Sequence, residues 1–71
     1  VSGEWRGRQL THGELATLDL LADGLTALEV GEKLGLAEDT IKSRIKRITA
    51  KLGTRNRAHS VAVAMRQGLI R

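Results

Sequence analysis

The chain has 71 residues, a hydrophobic fraction of 41%, no cysteine, two histidines and a net charge of +4. This is one small domain: disulfides, a zinc finger and a thiol nucleophile are excluded, there are too few ligands for a structural metal, and no apolar run approaches the roughly 18 residues of a membrane span. A core of this size supplies only about 3–5 kcal/mol, so helix packing or self-association must hold the fold together.

Trp5 is the one aromatic residue, so the core has to be built from Leu, Ile, Val and Ala. The absence of proline and the wealth of Leu, Ala, Glu, Lys and Arg point to an all-α fold. The chain begins at Val1 and not at Met, which reads as a processed chain or a piece of a longer one, and no charged-then-apolar leader is visible. Residues 1–9 show no hydrophobic period and carry Gly3 and Gly7, so they read as a tail or linker, with residues 10–71 as the domain. Trp5, Arg6 and Arg8 fit a linker remnant better than an arm entering a minor groove.

Thr11-His12-Gly13-Glu14 is a capping box, in which the Thr11 hydroxyl accepts from the Glu14 N–H and the Glu14 carboxylate reaches back to the Thr11 N–H. Leu10 and Leu15 are placed as its hydrophobic staple, and Leu15, Leu18, Leu21 and Ala22 recur at helical spacing up to a stop at Gly24. Thr26-Ala27-Leu28-Glu29 repeats the signature, with Leu25 and Val30 as staple. This second helix runs to about Leu34, with Gly35 just past its end, and is too short to stand alone. After the brief connection through Leu36 and Ala37, a third helix is predicted from Glu38 to Leu52, with one apolar stripe at Ile41, Ile45, Ile48 and Leu52. Steps of 100° place Ser43, Lys46, Arg47 and Ala50 opposite that stripe, with Lys42, Arg44 and Lys51 on its flanks. Ala37 is a poor N-cap, partly offset by Glu38 and Asp39 in the first turn. Gly53 ends this helix and Asn56 caps a fourth, from about Arg57 to Gln67, stopped by Gly68. Ala58, Val61, Ala64 and Met65 are expected to face the core, and Leu69 and Ile70 to fold back onto it.

Charge is segregated along this order. Residues 1–36 set Arg6, Arg8 and Lys33 against Glu4, Glu14, Asp19, Asp23, Glu29 and Glu32, whereas residues 37–57 hold Lys42, Arg44, Lys46, Arg47, Lys51, Arg55 and Arg57 against only Glu38 and Asp39. A concentrated basic half implies a polyanionic partner. Two helices joined by a tight glycine-containing turn make a helix-turn-helix, whose second helix lies in the DNA major groove in nucleic-acid-binding versions. Here that second helix carries its cations away from the apolar stripe, as docking requires.

Residues 10–70 resemble the LuxR-type (GerE-like) helix-turn-helix domain, the output domain of LuxR and of NarL/FixJ-type response regulators. The resemblance is carried by Leu10, Thr11 and Glu14, by Ala22-Asp23-Gly24, Glu29-Val30-Gly31 and Leu34-Gly35-Leu36, and by Thr40-Ile41-Lys42. It continues through Ile48-Thr49-Ala50-Lys51-Leu52-Gly53, Arg57, Ser60-Val61 and Gly68-Leu69-Ile70. The departures are Gly13 and Ala16 where the family often has Arg and Glu, Ala37 for the usual Ser, and Arg44 for a frequent His. The loss of Arg and Glu on the first helix removes an expected polar network there.

The resemblance implies a compact four-helix domain that binds double-stranded DNA in a sequence-specific way, as a cytoplasmic, nucleoid-associated transcription regulator with no catalysis, cofactor, metal or small-molecule ligand. Lys42, Ser43, Lys46 and Arg47 are the candidates for base edges; Thr40, Arg44, Lys51, Arg55 and Arg57 are assigned to phosphates. His59, Ala62, Val63 and Arg66 on the fourth helix are candidates for a homodimer contact, and RNA polymerase is a further candidate partner. His12 and His59 otherwise read as ordinary exposed histidines. A sigma-factor-like promoter-reading domain is a close variant of this reading. A basic protein-interaction module that meets an acidic partner or a membrane surface is the reading from a different class. Gly31 and Gly35 have the spacing of a membrane-helix contact motif, but Glu32 and Lys33 between them exclude that role.

Overall fold

A computed structural model describes residues 10–71. The expected tail and the Trp5, Arg6 and Arg8 segment lie outside the described residues. Four helices follow one another: α1 (His12–Ala22), α2 (Ala27–Leu34), α3 (Glu38–Leu52) and α4 (Arg57–Arg66). No strand occurs among the described residues.

Both predicted capping boxes close. The Thr11 N–H donates to Glu14 Oε1 at 2.8 Å, and the Glu14 N–H donates to Thr11 Oγ1 at 3.1 Å. The Thr26 and Glu29 pair repeats this at 2.8 and 3.2 Å. Asn56 caps α4 by accepting from the His59 N–H at 2.9 Å. The predicted ends hold too, since Gly24, Gly35, Gly53 and Gly68 all take positive φ.

α1 and α3 form the centre of the fold, with α2 and α4 packed on either side of that pair. One apolar cluster joins Leu10, Leu18, Ile48, Leu52, Ala64 and Ile70, while a second joins Leu21, Ala27, Val30 and Ile41. Val61 packs against both. The α3 stripe therefore splits by level: Ile41 and Ile45 fasten α3 to α2, and Ile48 and Leu52 fasten it to α1 and α4. Leu69 and Ile70 fold back as expected.

The α2–α3 connection is closed by the Leu36 N–H, which donates to the Gly31 carbonyl at 2.8 Å. A Cβ on Gly31 would stand 2.4 Å from the Leu36 carbonyl oxygen. The turn thus lies closer over α2 than any side chain at position 31 allows, and this fixes where α3 starts.

The fourth helix keeps Val61 and Ala64 of its expected face against the core and departs at the other two positions. Ser60 and Ala64 are its buried residues, whereas Ala58 is exposed and Met65 is 49% exposed. The buried Ser60 hydroxyl is satisfied by a hydrogen bond with the Thr54 hydroxyl. A polar residue, and not Met65, thus shares the inner face with Ala64.

Ala37 has the extended backbone of an N-cap (φ −69°, ψ 152°) but makes no side-chain cap bond. Ala37→Ser supplies the missing acceptor without changing the backbone. The expected result is a gain of about 1 kcal/mol, read as a higher midpoint in urea unfolding followed by circular dichroism.

Candidate nucleic-acid interface

With Ile41, Ile48 and Leu52 fully enclosed, α3 has only one face to offer. Thr40, Lys42, Ser43, Lys46, Arg47 and Ala50 are all exposed along it. The structure therefore brings the four base-edge candidates together on one solvent-facing strip, with Thr40 at its N-terminal end. Lys42 also faces Glu38 one turn back, at 3.8 Å with both side chains well exposed. Such a pair is weak and readily exchanged for another anion.

Arg55 and Arg57 are exposed in and after the turn that leads into α4. Arg57 and Asn56 line the same hollow as Lys42 and Ile45, so the turn adds its charge beside the N-terminal half of α3. The Arg55 N–H donates to His59 Nδ1 at 3.2 Å, which ties the turn to the first turn of α4.

Two of the expected phosphate ligands are engaged within the fold. Lys51 Nζ contacts both oxygens of Glu14, at 2.8 and 3.1 Å, and its side chain is only 26% exposed. Arg44 Nη1 donates to the Gly13 carbonyl and to Thr17 Oγ1, both at 3.3 Å. Both residues stand on the flank of α3 that packs on α1, and the proximity of α1 acceptors draws them inward. Arg44 thus makes a polar contact to α1 from the facing helix.

Glu14 is the charged group that residue order did not single out as buried: it is 1% exposed. Burial acts most strongly on its carboxyl and pushes the pKa up. The Lys51 hydrogen bond, the Thr11 N–H and the positive charges of Lys51 and Arg47 together outweigh burial, so the carboxyl sits below its usual range. The signal was present in the spacing. Glu14 lies four residues before Leu18 and seven before Leu21, on the same helical face, and Thr17 joins it there fully buried. What spacing could not give was the partner, 37 residues away.

On α4, His59 and Arg66 are exposed and Ala62 and Val63 half-buried. The exposed Met65 adds to the apolar part of that surface. His12 is also exposed. Among the described residues, no group of His, Asp and Glu is arranged to hold a metal ion, and no helix is long and apolar enough to cross a membrane.

Comparison with known proteins bears on this surface. The GerE family model, described as bacterial regulatory proteins of the luxR family, matches residues 8–64. The chain is 39% identical over 62 residues to the transcriptional regulatory protein YdfI of Bacillus subtilis, which covers 87% of this chain and 29% of YdfI. It is 38% identical over 55 residues to the DNA-binding transcriptional activator DevR/DosR of Mycobacterium tuberculosis, covering 78% of this chain and 25% of that protein. It is 38% identical over 61 residues to the transcriptional regulatory protein LiaR of Bacillus subtilis, covering 86% of this chain and 29% of LiaR. The chain therefore spans less than a third of each of these relatives. No solved structure matches it.

Proposed function

We propose, on the premise that this chain belongs to the luxR family of bacterial regulatory proteins, that it binds double-stranded DNA with α3 in the major groove, as the DNA-binding part of a transcription regulator. The observation that carries this reading is the α3 surface: Lys42, Ser43, Lys46 and Arg47 stand exposed, away from an apolar stripe whose Ile41, Ile48 and Leu52 are buried and whose Ile45 is partly so. A groove about 12 Å wide admits one helix presented in this way. Lys46 and Arg47 are the residues we assign to base edges, with Lys42 and Ser43 beside them. Thr40, Arg55 and Arg57 are assigned to phosphates, since Thr40 lies in the first turn of α3 and the two arginines flank the strip. Arg44 and Lys51 are reassigned from phosphate contact to holding α3 against α1. Pairing through the α4 surface of His59, Ala62, Val63, Met65 and Arg66 would supply a two-fold dimer for paired half-sites.

A backbone-amide NMR titration with a pool of short duplexes at two salt concentrations tests the reading. Shifts are expected to cluster on residues 40–47 and to fade with salt. With two phosphates neutralised by Arg55 and Arg57, log K should fall against log salt with a slope of about −2. If those amides stay still with duplex in excess, α3 does not dock, and a basic protein-interaction surface becomes the better account.

A further inference from the structure

We propose that Gly13 and Arg44 act as one charge-withholding pair: the missing side chain at position 13 seats the Arg44 guanidinium on α1, and so removes one cation from the surface that α3 presents to DNA. This rests on the DNA-binding reading above. The guanidinium lies directly over Gly13, where an added Cβ would be 3.2 Å from Nη1, 3.4 Å from Cζ and 3.6 Å from Nη2. Its acceptors are the Gly13 carbonyl and Thr17 Oγ1. Thr17 directs its own hydroxyl proton to the Gly13 carbonyl at 2.8 Å, which leaves its lone pairs toward the arginine.

The seat is finely balanced. Both guanidinium bonds are long at 3.3 Å, and Gly13 lies in the first turn of α1, where the helix dipole is positive and opposes a cation. Clearance over the glycine is therefore decisive. The atoms that any side chain at 13 would meet are the far end of a flexible arginine, which swings to solvent more easily than backbone yields. Once out, it stands on the flank of the exposed strip, three residues before Arg47. Position 13, on a helix outside the expected groove contact, thus sets how many charges α3 offers.

The test is a four-member set made in the 71-residue chain: wild type, Arg44→Ala, Gly13→Leu and the double variant. Each is measured for duplex affinity against salt concentration. Arg44→Ala should leave the slope unchanged, because that charge is already withheld. Gly13→Leu, although neutral, should steepen the slope by up to about 0.9 as Arg44 is released onto a phosphate. The double variant should return to the wild-type slope. A slope that falls by about 0.9 in Arg44→Ala overturns the proposal, because Arg44 then already contacts phosphate in the wild type. An unchanged slope in Gly13→Leu overturns it as well.

The DNA-free protein supplies an independent readout. The Arg44 guanidinium resonance in the ¹⁵N spectrum should be distinct from that of exposed Arg55 in the wild type and should merge toward it in Gly13→Leu. If Arg44 already behaves like Arg55, the seat does not exist. If the seat is present and the wild type binds no duplex, the DNA-binding reading fails, and with it the effect proposed for the seat.

Discussion

Lys51→Met is expected to destabilise the domain by about 2–3 kcal/mol, a large part of what so small a core supplies. The substitution keeps the length and apolar stem of the side chain and removes only the ammonium. It leaves the Glu14 carboxylate buried and without the cation that contacts both of its oxygens. Removing one partner of a fully buried pair costs about 3–5 kcal/mol; the lower figure allows for the partial exposure of Lys51. In a domain of this size the loss corresponds to a fall of about 10–20 °C in Tm. Thermal unfolding followed by circular dichroism reads it directly.

The pH dependence identifies the cause. The folded-state pKa of Glu14 lies below its unfolded value, so its contribution is present above the ordinary carboxylate range and is lost as pH falls through the folded-state value. The stability gap between wild type and Lys51→Met should thus be widest near neutral pH and close on acidification. Glu14→Gln should cost less than Lys51→Met, because the partly exposed Lys51 ammonium keeps access to water and a buried carboxylate that loses its cation does not. A gap that is constant with pH would mean that Lys51 matters for packing and not for its charge.

The second large effect is expected on sequence discrimination. Arg47→Ala and Lys46→Ala should each relax preference at one or two base pairs by about 1–3 kcal/mol, or roughly five- to 150-fold. Arg55→Ala should weaken all duplexes about equally and reduce the magnitude of the salt slope by about 0.9. Selection from a randomised duplex library, followed by affinity measurement on the enriched and scrambled duplexes, separates the two behaviours. The assignment of α3 as the reading element fails if Arg47→Ala and Lys46→Ala weaken enriched and scrambled duplexes equally. Arg47 also lies close enough to Glu14 to lower its pKa, so its variant needs a parallel stability measurement.

Local chemistry made most of the fold legible. The two Thr-x-x-Glu boxes, the Asn56 cap and the helix-ending glycines each act within a few residues, and each forms as read. The α3 stripe at intervals of three and four residues assigned its buried and exposed faces, because a helix of fixed pitch allows only one such partition. Lys42, Ser43, Lys46 and Arg47 could therefore be placed at the surface before any packing was known. Short α4 was harder, since its apolar residues occur all round and several faces compete. Ser60, hydrogen-bonded with the Thr54 hydroxyl, takes the inner face and Met65 does not.

The helices, their ends and the face on which α3 carries its charge follow from residue order, because they depend on backbone conformation and period alone. Which of those charges remain available depends on how the helices pack. Helical period puts Arg44 and Lys51 on the flanks of the stripe, where they read as phosphate ligands of the same basic helix. Packing α1 against α3 places the Gly13 carbonyl and Thr17 beside Arg44, and the buried Glu14 carboxylate beside Lys51. A buried carboxylate requires a partner, and the long stem of a lysine on the adjoining flank reaches it. Contacts between residues 31 and 37 positions apart have no period from which they could be read.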